Sequence, residues 1–248
     1  MTSHFKDWRA EFKRGLPSRQ DQVDELVLMP VRAAADAALR GFEVRVRNPA
    51  AAQAGRGRWG QTLAPRLHHL NEALTCPLAH LLASLGLRLW LPLQGESLEH
   101  AVHHGLQRSL VASPLPMDCV TLILSVDTGP GSAKALEALH TLAAVGCPVA
   151  IDTDLLDAHA LRPLAGHAIV RELRHAVGTI SASPGTALPE PGAGIVTTLL
   201  QVTTSRECDL AIAAGADLLQ GDFIGRARSM GDVAAQIEGG ASTLESML

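Results

Sequence analysis

The sequence predicts an α/β fold, a modified (β/α)8 TIM-like barrel in which one strand is antiparallel to the others. Its 248 residues suit one large domain. Short apolar runs alternate with helical patterns, which indicates parallel strand and helix units, and the number of units favours a closed barrel over an open sheet. Two strands joined by a turn precede this alternation, and such a hairpin makes one early strand antiparallel.

The first residues carry a different pattern. Phe5, Trp8 and Phe12 recur at helical spacing and predict an amphipathic helix. We therefore assign residues 1–24 to an N-terminal helical extension and residues 25–248 to the barrel domain. The aromatic stripe fits packing on the barrel wall best, and docking of a partner is the alternative.

The hairpin and the barrel elements follow in order. The first strand begins at Glu25, the turn is Ala34–Ala38, and the second strand runs from Gly41 to Asn48 with alternating apolar and charged residues. After a loop at Ala50–Gly60, apolar runs predict strands at Leu87–Leu93, Val120–Val126, Pro148–Asp152, His167–Arg171 and Ile195–Val202, and a short last strand after Gly215. Helical patterns lie at Leu63–Leu85, Leu98–Val111, Ser132–Val145, Leu155–Leu164, Glu172–Val177 and Ser205–Ala214. Prolines and glycines predict a loop over Gly178–Gly194.

The composition argues against two classes of partner. Aromatic residues make up only 3% of the chain and the net charge is −4, so neither stacking nor a basic excess favours direct nucleic-acid binding. The most apolar stretch, Leu81–Leu93, contains Arg88 and Pro92 and is too short for a membrane helix. We therefore expect no membrane contact.

The cysteines and histidines predict neither disulfides nor a metal site. The cysteines are widely separated, with no paired spacing: Cys76, Cys119, Cys147 and Cys208. The N-terminal residues mix charges and lack the apolar core of a secretory signal, so we predict a cytoplasmic protein with reduced thiols. His100, His103 and His104 share one side of a predicted helix, where a solvated helix face is favoured over a metal site.

One C-terminal stretch resembles a known family. The pattern of residues 214–227 predicts the end of a helix, a short strand and a turn. These residues are similar to the closing stretch of EAL-type cyclic-di-GMP phosphodiesterase domains, Gly-Cys-Asp-Tyr-Val-Gln-Gly-Tyr-Leu-Phe-Ser-Arg-Pro. The matching residues are Gly215, Asp217, Gln220, Gly221 and Arg226. From this anchor the family pattern extends over Glu25 to Ile237.

The resemblance implies five candidate ligand-binding residues. Glu43 stands at the metal-binding Glu of the Glu-Ala-Leu signature, and Arg47 stands at an arginine that contacts ligand phosphate. Asp152 matches the first Asp of the family's Asp-Asp-Phe-Gly-Thr-Gly loop, Glu172 matches the acid of its Lys-Ile-Asp motif, and Gln220 belongs to the closing stretch. We interpret these five as vestigial.

Other positions depart from the pattern. Apolar or shorter residues replace the family's Gln, Asn, Glu, second Asp, Lys and final Glu at Met29, Pro92, Ile123, Thr153, Val170 and Leu200. Two divalent cations that each need about six oxygens cannot be held by the acids that remain. The resemblance therefore implies a degenerate EAL domain that is not an enzyme, with no catalytic residue, metal or cofactor. Bulky Leu200 and Val170 are expected to line the barrel mouth.

The function implied by this resemblance is regulatory. A non-catalytic member would act through binding another protein, of unknown identity, in bacterial motility or biofilm signalling. The alternatives are a cyclic-di-GMP receptor that does not hydrolyse its ligand and an active phosphodiesterase. A structural role for Glu43, paired with Arg45 or Arg88, is a further alternative. We expect weak nucleotide binding or none, and loss of the family dimer, because Gly178–Gly194 cannot form the long helix found there in the family.

Overall fold

The computed structural model describes residues 25–47, 62–63, 67–93, 105–125, 140, 142–143, 146–153, 167–181 and 194–239. The strands in chain order are β1 (Glu25–Ala33), β2 (Leu39–Arg47), β3 (Thr62–Leu63), β4 (Arg88–Leu93), β5 (Val120–Ser125), β6 (Val149–Asp152), β7 (Val170–Ala176), β8 (Val196–Leu200), β9 (Leu218–Leu219) and β10 (Arg228–Ser229). The helices are α1 (Leu67–Thr75), α2 (Pro77–Ser84), α3 (Gly105–Ala112), a 3-10 turn at Met117–Cys119, α4 (Val177–Ser181), α5 (Ser205–Ala213) and α6 (Met230–Glu238).

Eight strands close into a ring. Their order is β1-β9-β8-β7-β6-β5-β4-β2, and a pairing between β1 and β2 completes the circle. Neighbours from β2 through β4 to β9 are parallel, whereas β1 is antiparallel to β9. The short strands β10 and β3 extend this sheet beside β1 and β2. The predicted barrel with one antiparallel strand is confirmed.

Several predicted elements occur close to their expected bounds. The strands β4, β5, β6 and β8 each lie within the predicted runs, because these runs consist mostly of apolar residues whose side chains are buried on both faces. The predicted helix at Leu63–Leu85 is two helices, and Pro77 begins the second, where its missing N–H costs no hydrogen bond. Helix α5 starts with a capping box between Thr204 and Glu207.

The assignment around β7 was wrong. The predicted strand His167–Arg171 and helix Glu172–Val177 are instead one strand, Val170–Ala176, followed by the five-residue helix α4. The sequence Val-Arg-Glu-Leu-Arg-His-Ala contains good helix formers, but its alternate residues face the polar interior of the barrel, and this tertiary environment overrides local preference. The first four residues of the predicted loop, Gly178–Ser181, are therefore helical, and residues 182–193 of that prediction lie outside the described residues.

The apolar core has two layers. Val31, Trp90, Ile123, Ala150 and Leu218 contact one another although they come from strands all around the ring, so they fill the barrel interior. A second cluster lies between the wall and helix α5, and it consists of Val177, Leu199, Val202, Ala211, Leu219 and Ile224. The side chains of adjacent residues in a strand thus lie on opposite faces of the barrel wall, one in the interior and the next in the second cluster.

A glycine fixes the loop that follows β9. Gly221 has a φ of 152°, and a Cβ there would lie 2.3 Å from the backbone N and O of Val202. No other residue fits this approach without displacing backbone. Gly221 therefore holds the end of β9 close to the end of β8.

The described residues form two compact units. Glu25, Val46, Arg47 and the strand β3 belong to the smaller one, and the remaining described residues belong to the larger one. The predicted N-terminal helix, the loop at Ala50–Gly60, the helix at Leu155–Leu164, the three-histidine face and most of Ser132–Val145 lie outside the described residues. No helix in the described ranges is long and apolar enough to cross a membrane.

Candidate functional site

A buried arginine on β7 organises the polar interior of the barrel. Arg174 is 1% exposed, and its Nη2 donates to Glu43 Oε2 at 2.5 Å and to Gln220 Oε1 at 3.0 Å. Its Nη1 lies 3.5 Å from Asp152 Oδ1, and its Nε lies 3.6 Å from Glu172 Oε1. All three nitrogens of the guanidinium thus face side-chain oxygens.

The strand register brings these side chains together. Asp152 on β6 is the register partner of Arg174, which in turn is the partner of Thr198 on β8. Glu172 is two residues before Arg174 and therefore lies on the same face of β7. We call the following residues the Arg174 cluster: Glu43, Arg45, Trp90, Asp152, Glu172, Arg174, Thr198 and Gln220.

Glu172 accepts two neutral hydrogen bonds. Trp90 Nε1 donates to its Oε2 at 2.7 Å, and Thr198 Oγ1 donates to its Oε1 at 2.6 Å. Burial raises the pKa of Glu172, while Arg174 and the two hydrogen bonds oppose this effect. Both carboxylate oxygens are already engaged, so Glu172 is poorly placed to exchange protons with a substrate.

Glu43 is paired with two cations. Its Oε2 accepts from Arg174, and its Oε1 forms an ion pair with Arg45 Nε. Burial alone would raise the pKa of Glu43, but the guanidinium groups of Arg174 and Arg45 outweigh burial and hold the pKa at about 2. The three nearby carboxylates likewise raise the pKa of Arg174 above its usual range, against the effect of burial. Glu43 therefore keeps its negative charge, and Arg174 keeps its positive charge.

Four of the five predicted site residues belong to the Arg174 cluster: Glu43, Asp152, Glu172 and Gln220. The fifth, Arg47, belongs to the smaller unit, where its Nη1 lies 3.2 Å from Glu25 Oε2. The alternative in which Glu43 pairs with Arg45 describes one of its two ion pairs, and Arg174 forms the other.

The expected position of Val170 was wrong. Val170 is the first residue of β7, whereas a barrel mouth is formed where parallel strands end. It is 1% exposed and cannot line that mouth. Leu200, by contrast, is the last residue of β8, as expected for a residue at the mouth. The residue of β7 that lies beside Asp152 is Arg174, so a guanidinium occupies this position at the strand ends.

A hydroxyl and an imidazole lie at the strand ends next to the cluster. Thr153 Oγ1 donates to the Arg174 backbone carbonyl at 2.8 Å and lies 2.5 Å from His175 Nδ1. Thr153 is only 5% exposed, so its hydroxyl ties β6 to β7 and is not available as a nucleophile. Among the described side chains, no group of three or more His, Cys, Asp and Glu is placed to hold a metal ion.

Sequence reasoning missed Arg174, the residue with most contacts to the cluster. Its partner Glu43 is 131 positions away, so no local pattern joins them. One signal was present: Glu172 and Arg174 are two positions apart, which places both on one face if the segment is a strand. The helical assignment of Glu172–Val177 concealed that signal.

Comparison with known proteins supports the fold. Neither a protein-family model nor a curated protein matches the sequence. Among solved structures, the chain is similar to the phosphodiesterase PaMucR in complex with c-di-GMP, at 19% identity over 85% of this chain and 99% of that chain, with a TM-score of 0.63. It is also similar to the cAMP-bound form of the EAL enzyme Bd1971, at 15% identity over 94% and 69% of the two chains, with a TM-score of 0.69.

A third similar structure is the EAL domain of Mycobacterium smegmatis DcpA, at 16% identity over 88% of this chain and 99% of that chain, with a TM-score of 0.63. Likeness at such low identity concerns the backbone arrangement, and chemistry depends on the residues of each site. By its eight-stranded mixed barrel and these structural likenesses, the chain has the fold of the EAL domains.

Proposed function

We propose that this protein is a non-catalytic, EAL-like regulatory protein that acts by binding another protein in bacterial signalling. The observation that carries the proposal is the Arg174 guanidinium, which lies between the carboxylates of Glu43, Asp152 and Glu172. Phosphodiester hydrolysis by a pair of divalent cations needs open oxygen ligands that hold both metals close together. A cation between these carboxylates would have to occupy the space of the guanidinium and face its positive charge.

The surrounding positions do not replace the missing ligands. Pro92, Ile123 and Leu200 are buried and have no side-chain oxygen. Groups that act as a unit lose nearly all catalysis when several are absent. The donor set therefore does not fit a pair of metal ions, and we derive no hydrolytic step for this site.

Cyclic-di-GMP binding is expected to be weak for a related reason. Met29 stands where the family has a ligand-contacting Gln, and a phosphate facing apolar side chains such as Leu200 is poorly compensated. The cations nearest the interior, Arg174 and Arg45, are already paired with carboxylates. A nucleotide phosphate would have to compete with these ion pairs.

The proposed protein-binding surface is the side of the barrel formed by α4 and α5. Helix α5 exposes two aliphatic side chains, Leu210 and Ile212, which are 38% and 48% exposed and flank the buried Ala211. Apolar side chains exposed in this way favour protein contacts. The short α4 is in contact with α5 and ends at Ser181, and the prolines and glycines of the sequence that follows disfavour the long helix of the family dimer.

Titration of the purified protein with cyclic-di-GMP, with and without Mn²⁺, tests the absence of catalysis. We expect no hydrolysis product and no submicromolar binding by calorimetry. Turnover that requires Mn²⁺ and is abolished by Glu43→Ala would establish an active phosphodiesterase instead. Submicromolar binding without product would establish a receptor.

Crosslinking with mass spectrometry tests the surface. A protein captured by the wild type should also be captured by Val111→Glu, a control at a 73% exposed position of α3, and should be lost with Ile212→Glu. Equal capture by all three proteins would refute this surface. A tight homodimer in sedimentation, with crosslinks between residues 172–194 of two copies, would refute the predicted loss of the family dimer.

A further inference from the structure

The three acids of the Arg174 cluster are compensated to different degrees. Glu43 accepts a hydrogen bond from Arg174 Nη2 at 2.5 Å and forms an ion pair with Arg45. The side chain of Asp152 is 30% exposed, so water reduces the cost of its charge. The side chain of Glu172 is only 4% exposed, and Arg174 Nε lies 3.6 Å from its Oε1 without making a hydrogen bond there. The ionised form of Glu172 is therefore the least compensated of the three.

The groups around Glu172 come from six strands of the ring. Those that carry a charge are Arg174 on β7, Glu43 and Arg45 on β2, and Asp152 on β6. Those that are neutral are Trp90 on β4, Thr198 on β8 and Gln220 at the end of β9. Burial is the largest influence and raises the pKa of Glu172, and the negative charge of Glu43 adds to the rise. The attraction of Arg174 and the two hydrogen bonds offset this rise only in part.

The hydrogen-bond partners of Glu172 determine which of its oxygens can take a proton. The indole of Trp90 can donate but cannot accept, so Glu172 Oε2 has to remain an acceptor. The hydroxyl of Thr198 can do either, so Oε1 can gain a proton if this hydroxyl rotates and accepts the hydrogen bond instead of donating it. The 2.6 Å between Thr198 Oγ1 and Glu172 Oε1 suits both directions of the bond.

We infer that the Arg174 cluster is a proton-binding site, in which Glu172 Oε1 takes up one proton from solvent before the other acids of the cluster do, and the hydrogen bond with Thr198 reverses. This proton removes the negative charge beside Arg174 Nε, so that within the cluster Glu43 and Asp152 then balance the guanidinium. The polar interior of the barrel thereby responds to pH through β7 and β8. The inference concerns the interior alone, so it is independent of whether the protein binds a partner.

The indole N–H of Trp90 reports the charge of Glu172, because it donates to Oε2. Its NMR resonance is identified in the full chain with Trp8→Phe and Trp59→Phe, which leave Trp90 as the remaining tryptophan. We expect this resonance to shift as the pH is lowered, with a midpoint above 4.5, the ordinary pKa of a glutamate. Glu172→Gln keeps the shape of the side chain but cannot titrate, so it should abolish the shift. Asp36→Asn, at an exposed acid, is the control and should retain it.

Urea unfolding at several pH values tests the same proton. Because the folded state binds it more readily than the unfolded state, its stabilisation is fully present below pH 4.5 and is lost as the pH rises through the pKa of Glu172. Relative to Glu172→Gln, wild type and Asp36→Asn should therefore lose stability as the pH rises above 4.5. Parallel pH profiles for wild type and Glu172→Gln would overturn the inference. So would an indole resonance that does not shift, or one with a midpoint at or below 4.5, and this outcome decides even if Glu172→Gln fails to fold.

Discussion

Among the described residues, two arginines are buried in the wall of this barrel, Arg174 and Arg32, and their charges are balanced to very different degrees. Arg174 faces the interior, where three carboxylates and an amide surround its guanidinium. Arg32 is 6% exposed and lies on β1 next to Val31. Because Val31 packs in the interior, Arg32 lies on the outer face of the strand.

The surroundings of Arg32 contain little to balance its charge. Its Nη1 donates to the Ala37 carbonyl at 2.8 Å, while its Nε and Nη2 are buried without a hydrogen-bond partner in the described part of the chain. Burial lowers the pKa of Arg32, the opposite of the direction for Arg174. The comparison teaches that similar burial of one residue type has opposite energetic consequences, depending on the charges around it.

The largest effect should follow from removing the matched cation. Arg174→Met leaves three carboxylates without their central partner, and we expect the free energy of unfolding to fall by about 3–5 kcal/mol. Urea denaturation followed by circular dichroism measures this. The control Arg40→Met removes an exposed ion pair and should change stability by less than about 0.5 kcal/mol. An Arg174→Met variant as stable as wild type would contradict the assignment of Arg174 as the essential counter-ion.

Acidification should weaken the same cluster. The pKa of Glu43 is held at about 2, below its ordinary value of 4.5, so the folded state binds this proton less readily than the unfolded state does. The ion-pair stabilisation is therefore fully present above pH 4.5 and is lost as the pH falls toward 2, by about 3 kcal/mol in total. Glu172, whose pKa is raised, acts with the opposite sign, because its ionised form is the costly one.

Comparison with Glu43→Gln isolates the contribution of Glu43. Urea unfolding at several pH values should give the variant a shallower loss of stability between pH 4.5 and 2 than wild type. The variant Asp36→Asn, at a carboxylate with a side chain that is 57% exposed, serves as the control and should follow wild type. Parallel pH profiles for wild type and Glu43→Gln would contradict a depressed pKa at Glu43.

A smaller effect should come from a neutral hydrogen bond of the cluster. Thr198→Val keeps the side-chain shape but removes the donor to Glu172 Oε1, and we expect a loss of about 1–2 kcal/mol. Thr179→Val is the matched control, since Thr179 is an exposed residue of α4 whose hydroxyl donates to the carbonyl of Ala176 at the end of β7. If the free energy of unfolding falls equally in both valine variants, the hydrogen bond to the buried Glu172 contributes no more to stability than the exposed one does.

The smallest effect should come from the unmatched arginine. Arg32→Met removes a guanidinium whose burial is uncompensated and keeps most of the apolar stem, while one hydrogen bond to Ala37 is lost. These opposing terms should leave the free energy of unfolding within about 1 kcal/mol of wild type. A fall in the free energy of unfolding as large as that for Arg174→Met would contradict the contrast between the two arginines. It would indicate a partner for Arg32 beyond the described residues.

The sequence allowed the barrel to be predicted better than the site. Strand β5 was predicted almost to the residue because Val120, Leu122, Ile123 and Leu124 form a buried apolar run. The pairing of β1 with β9 follows from closing the ring, but no local pattern shows which residues meet. The candidate acids were found by resemblance, and four of them do lie together around Arg174.

The remaining part of the site could not be predicted because it depends on long-range register. Arg174 contacts Glu43 only when β2 and β7 both contribute to one closed ring. Glu172 was identified as a candidate acid, yet it was assigned to a helix because the polar barrel interior is not visible in local composition. Charged residues on alternate positions of a short segment favour a strand only once an interior that can pair them is known.

The pairing of the first strand, β1, with β9 also determines when the barrel can close during synthesis. β1 is translated before all the other strands of the ring, and its neighbours β9 and β10 are translated after them. Until those residues leave the ribosome, β1 can pair only with β2, and its other edge stays open. Closure of the ring is therefore a late and long-range event, which slows folding. During that interval the open edge is available to other nascent chains, so folding of this protein competes with aggregation until its last strands have been made.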